Sequence, residues 1–130
     1  MKEVVKTVHY EIAVNEVKNR AYLKVIGFWR NADLVSGYVS DWRKTLTMLK
    51  PGFTLLTDLS TMITHPPEVL GVHQQVQKLV VEKKLRFTAE IKPKDIVTAM
   101  QVSKIAKASM MPVRQFASFE EAEAHLNSLG

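Results

Sequence analysis

Val8, Tyr10, Ile12 and Val14 alternate with His9, Glu11 and Ala13, the two-residue period of a half-buried strand. The polar run NEVKNR follows, and AYLKVIGFW reads as a second strand, with a hairpin as the simplest connection. Apolar positions then recur at helical spacing through Leu34, Val35, Tyr38, Val39, Trp42, Leu46 and Leu49. Asn31 is placed to cap that helix, Asp33 suits the dipole of its first turn, and Pro51-Gly52 stops it. FTLLTDL is a short apolar run, as expected of a strand inside a sheet.

Pro66 fits the first turn of a second helix, where its missing N–H costs nothing, and Val69, Val72, Val76, Leu79 and Val80 form its buried stripe. RFTAEI gives a fourth strand, and KPKDIVTAMQVSKIAKAS a third helix starting near Pro93. PVRQF is a short last strand. Ser118 and Glu121 then form a capping box that opens the helix FEEAEAHLNSL. The order β-β-α-β-α-β-α-β-α predicts an α/β fold: a two-layer sandwich with a mixed sheet of about five strands and about four helices. Helical crossovers make the later strands mainly parallel. At 130 residues without a linker or repeat, the expectation is a single domain over 1–130.

Charge changes the picture in one segment. Between Gly71 and Arg114 nine basic residues face three acidic ones, while the whole chain carries +5. A solvated helix face explains this most simply, because Lys78 is neighboured by Glu82, and Lys83, Lys84 and Arg86 suit the end of the second helix. The segment lacks interleaved aromatics for stacking on bases and has no helix-turn-helix signature, so no specific nucleic-acid binding is expected. No apolar run reaches the length of a membrane span, so no membrane insertion is expected. The charged N-terminus does not read as a signal peptide, and the expected location is cytoplasmic.

Zero cysteines exclude disulfides, thiolate metal sites and cysteine nucleophiles. The four histidines show no His-x-x-x-His spacing and no HExxH, so no metal or other cofactor is expected. No GxSxG, P-loop or GxGxxG occurs, and no residue set asks for catalysis. Ligands of α/β sheets gather beyond the C-terminal ends of the strands. Three loops are expected there: Trp29-Arg30-Asn31, Asp58 through His65, and Lys92-Pro93-Lys94. Trp29, Arg30, Asn31, Asp58, Ser60, Thr64 and His65 are therefore the candidate ligand- or partner-binding residues. The simpler expectation is that Asp58 pairs with Arg30 while Trp29 closes the edge of the core. Met110 and Met111 are placed to line an apolar slot beneath the third helix.

The order of elements, the LLTDLS strand and loop, and the closing MPVRQFASFEEAEAHL resemble the SpoIIAA-like proteins of the STAS superfamily, the anti-sigma-factor antagonist fold. The resemblance implies a non-catalytic regulatory domain that binds partner proteins or small ligands. Related SpoIIAA-like sequences are grouped with the lipid-binding SEC14 type, which implies a small apolar ligand as the alternative. The oligomeric state stays open, a homodimer included. Regulatory members carry a phospho-acceptor serine at the start of the second helix. This chain keeps Asp58-Leu59-Ser60 but has Thr64-His65-Pro66-Pro67 at that start, without the serine and its neighbouring glycine. Two prolines also remove N–H groups that would hold a phosphate.

Overall fold

The computed structural model describes residues 1–129. Its six strands form one sheet in the order β1 to β6: Lys2–Lys6, Tyr10–Asn15, Arg20–Val25, Thr54–Asp58, Phe87–Ile91 and Val113–Phe116. The first three pair antiparallel and the last four pair parallel. Four α-helices accompany them: α1 Tyr38–Leu46, α2 Pro67–Glu82, α3 Ile96–Ala108 and α4 Phe119–Ser128. The mixed α/β sheet is thus as expected, with one strand more and, because the last helix covers the other face, three layers in place of two.

The extra strand, β1, escaped the pattern because its register shifts between Glu3 and Val5. That bulge sets Val4 and Val5 side by side and destroys the two-residue alternation. Lys2, Glu3 and Lys6 stand on this edge strand, where charge discourages pairing with another chain. The next strand begins at Tyr10, not Val8. The Thr7 side chain accepts from the backbone N–H of His9 and Tyr10, which makes a turn there and leaves Val8 exposed.

The first helical stretch is also divided. Asn31 does cap, accepting from the Leu34 N–H at 3.2 Å, but it caps a 3-10 turn over Ala32–Val35. Gly37 then precedes α1, and Leu34 falls on the outside. The third helix starts at Ile96 rather than at Pro93, because Asp95 caps it by accepting from the Thr98 N–H and hydroxyl at 3.0 and 2.9 Å.

Strands β3 to β6 are added in one direction, so right-handed crossovers place α1, α2 and α3 on the same face. Trp42, Leu46, Val69, Val76, Val80 and Val102 from these helices pack against Ile12, Val14, Leu23 and Leu55 of the sheet. The final helix is not a crossover and takes the opposite face, where Ala122 and Leu126 meet Tyr22, Leu56, Ala89 and Ile91. Buried Arg20 anchors it, donating to Glu123 and Asn127 at 2.8 and 3.0 Å and to Thr54 on the sheet at 2.9 Å.

The cap of α4 is as the sequence implies. Ser118 accepts from the Glu121 N–H at 3.2 Å, and the Glu121 carboxylate reaches back to the Ala117 N–H at 3.3 Å. Ser118→Ala should lower stability by about 1 kcal/mol. Urea unfolding should show a lower midpoint at unchanged slope. An unchanged midpoint would mean that α4 starts without help from this hydroxyl. Among the described residues, no helix is long and apolar enough to cross a membrane.

Candidate functional site

Beyond the C-terminal ends of β3 and β4, two loops are laced to each other and to α3. Gly27, at φ +64° where a side chain would strain the backbone, donates its N–H to Thr61 and accepts from the Ile63 N–H at 3.1 Å. The side chain of Gln101 clamps the backbone of His65 from both sides, accepting from its N–H at 2.9 Å and donating to its carbonyl at 2.8 Å. The hydroxyls of Thr64 and Thr98 lie 2.9 Å apart. These bonds satisfy the polar backbone of a loop that carries few regular partners.

Inside the lacing sits an aromatic stack. Trp29 is fully enclosed, with its indole N–H donated to the His9 carbonyl at 2.9 Å. His65 and His73 stack on the indole at 4.9 and 4.8 Å and lie nearly coplanar in orientation with each other, at 9°. Tyr38 meets Trp29 edge-on at 5.0 Å. His65 Nε2 is 3.1 Å from the Gly27 carbonyl, and His65 Nδ1 is 2.9 Å from His73 Nε2. A carbonyl only accepts, so His65 carries its proton on Nε2 and its Nδ1 accepts from His73. Burial pushes His65 below its ordinary value. Burial, and then the neighbouring His65, push His73 down to about 3. Both rings are therefore neutral at pH 7. Among the described residues no third metal-ligating side chain joins them.

The candidate residues fall into different places. Trp29, Thr64 and His65 belong to this stack and its lacing. Asn31 is spent on its cap, and Arg30 is exposed. The expected Asp58–Arg30 pair does not form: both ion pairs among the described residues are made by Glu123, with Lys18 and Arg20. Asp58 instead accepts from the Ser60 N–H and hydroxyl at 2.9 and 2.6 Å, a local turn that outcompetes a distant guanidinium. Its strand parity sends it to the α4 face, where it lines an open groove with Glu3, Glu11, Lys24 and Phe119.

Sequence reasoning missed three things here. His73 lies eight residues beyond His65, across the proline corner, a spacing that carries no contact rule. Gln101 sits on α3 and reads as an ordinary polar helix position. The third is apolar exposure: Phe28, Ile63, Ile96, Val97 and Met100 are all 48–76% exposed. They stand on the three laced segments. Around them Arg30, Lys92, Lys94 and Lys104 are exposed, against Asp33, Glu68 and Asp95.

Between the sheet and α1–α3 lies a cavity of about 50 Å3, walled by Leu23, Leu55, Val76, Val80 and Ile105. Met111 lines it, as expected, whereas Met110 is exposed. Its polar lining includes His73, Gln77 and Glu90. Glu90 is 3% exposed, and its one polar partner is the Gln115 amide at 3.5 Å. Burial pushes its carboxyl up to about 7.

No family model and no curated protein matches the chain. Solved structures do. An uncharacterized protein of the DUF3478 family with a SpoIIAA-like fold, from Shewanella loihica PV-4, is similar at TM-score 0.62 and 12% identity, over 94% of this chain and 97% of that one. SiaC of Pseudomonas aeruginosa is similar at TM-score 0.58 and 10% identity, over 89% of this chain and 100% of that one. The backbone likeness spans nearly every element described above, and the chain has the SpoIIAA-like fold.

Proposed function

We propose that this chain is a non-catalytic, cytoplasmic regulatory domain that docks a partner protein through the face of Phe28, Ile63, Ile96, Val97 and Met100. The observation that carries the reading is that five large apolar side chains are exposed on segments that hydrogen bonds lace to one another. Scattered exposed apolar residues need no explanation, but a group of them rimmed by polar residues marks an interaction site. The basic excess around it suits a partner with an apolar centre and an acidic rim.

Regulation by phosphate at the start of α2 fits poorly. Pro66 stands at the cap position without a side-chain cap bond, Pro67 follows, and the Val69 N–H is already bonded to the Pro66 carbonyl. Ser60 is committed to Asp58 and Thr64 to Thr98. The corner thus lacks both an acceptor serine and most of an anion cradle.

The alternative, a small apolar ligand, is disfavoured by size in the cavity beneath α1–α3, the larger space of about 420 Å3 being the open groove on the α4 face. The cavity of about 50 Å3 falls well short of the roughly 300 Å3 at which ligand pockets begin. The sheet also adds β3 to β6 in one direction, so it has no point of reversal at which neighbouring loops diverge into a crevice.

A photo-crosslinking residue in place of Phe28 should capture a discrete protein in cells, whereas one in place of Ala124 on α4 should not. Adding Ile63→Asp and Met100→Asp should abolish the adduct while changing stability by no more than about 0.5 kcal/mol each, as is usual for exposed positions. An adduct that survives both substitutions, or a small molecule retained in the native mass spectrum of fresh protein, would sink the reading.

A further inference from the structure

We propose that the His65–His73 pair is a proton-operated latch that holds the Phe28–Ile63–Met100 face in its docking form and releases it on acidification. This rests on the docking reading for its purpose, but the latch stands on its own geometry.

The neutral pair is self-consistent with one N–H between the rings. His65 Nε2–H donates to Gly27, and His73 Nε2–H donates to His65 Nδ1. A proton added to His65 puts a second N–H into the same 2.9 Å gap. His73 must then move its own proton to Nδ1. A second proton leaves no such escape: two donors and two like charges face each other with ring centres 5.1 Å apart. The pair can hold one extra proton at a cost, and it cannot hold two.

The surroundings give that charge little help. The titratable groups on the elements packed around the pair are few. Tyr38 stands edge-on to His73 at 6.1 Å, and behind it Tyr10 is bonded to Asp41. Glu90 shares the cavity wall with His73. Asp95 is engaged by Thr98, while Glu68 and Arg30 point to solvent. Among the described residues none of these carboxylates ion-pairs with either ring. The Trp29 indole can partly offset one cation through its face.

Of the two rings, His65 is the one free to leave. His73 is fixed within α2, whereas His65 lies on the loop and is held by Gly27, Gln101 and the pair itself. When it leaves, the bonds that set Ile63 beside Gly27 and Met100 beside the loop lose their shared anchor. Phe28, edge-on to His65 at 6.4 Å, loses its backing.

Nuclear magnetic resonance of the full chain tests this. As the pH is lowered, the ring signals of His65 and His73 should move together with the backbone signals of Ile63, Thr64 and Met100, at a midpoint below the ordinary histidine value of 6.5. Ala122 and Leu126 on the buried side of α4 should stay in place. His65→Gln keeps an N–H for Gly27 but cannot titrate, so its loop signals should hold their neutral positions to about pH 5. The latch is overturned if the loop moves alike in wild type and His65→Gln, if the rings titrate while the loop stays fixed, or if the whole chain unfolds at once. Should His65→Gln not fold, amide exchange in the wild type decides. Protection at Ile63 and His65, corrected for intrinsic rate, should fall at least about tenfold, or 1.4 kcal/mol, on acidification, with Leu126 unaffected. Unchanged protection overturns the latch. Neither readout needs a partner, so the latch can fail while docking stands; docking fails by the crosslinking result alone.

Discussion

Trp29→Ala should destabilise the fold by about 4 kcal/mol, the middle of the usual range for a buried aromatic. Three losses add up. The indole is fully enclosed, so its removal leaves a void that rigid neighbours on β2, α1 and α2 cannot fill. Its contacts with Tyr38, His65 and His73 disappear together. The His9 carbonyl loses its donor. Urea unfolding should show the midpoint falling with the slope unchanged. A loss under about 2 kcal/mol would mean that Trp29 seals an edge that the rest of the core can close without it.

Glu90→Gln should act in the opposite direction. The carboxyl rises from 4.5 to about 7 on folding, because burial penalises its charged form. The folded state therefore binds the proton more tightly than the unfolded one. That contribution to stability is full below pH 4.5 and is lost as pH rises toward about 7. At pH 8 the wild type keeps a buried carboxylate at a cost of about 3 kcal/mol relative to acid. Glutamine keeps an oxygen for Gln115 and carries no charge. The variant should be more stable by up to about 3 kcal/mol at pH 8 and equal to wild type near pH 4.5. A variant less stable at both pH values would show that the carboxylate has a partner worth more than its burial.

The same substitution should expose the histidines. His73, held down to about 3, resists protonation in the folded state, so its contribution is full above 6.5 and falls away toward acid. Between pH 6.5 and 4.5 the slopes of Glu90 and His73 have opposite sign, each about 1.4 kcal/mol per pH unit, and offset one another, while His65, also held below its ordinary value, adds to the histidine side. Glu90→Gln removes one of them, so its stability should drop more steeply with acid than that of wild type. Parallel acid limbs would contradict the paired assignment.

The local rules carried the elements. The alternation from Tyr10 to Val14, the cap at Ser118 and the proline start of α2 each depend on a few neighbouring residues, and each stands where the sequence put it, whereas Asn31 caps a 3-10 turn instead of the long helix expected there. The parallel run of later strands followed from the helices between them. Where a pattern was broken by a bulge, as at Glu3–Val5, a strand went unseen. The candidate site was legible only as a set of loops at one end of the sheet. Strand parity turned Asp58 to the far face, and its own Ser60 satisfied it before Arg30 could. Tertiary packing alone decided that His65 would meet His73 under Trp29, that Gln101 would clamp the loop, and that Phe28, Ile63 and Met100 would share a surface. The bonded and stacked pairs among them lie from 8 to 44 positions apart. No periodicity or cap specifies such a meeting, because it follows from the geometry of helices stacked on a twisted sheet.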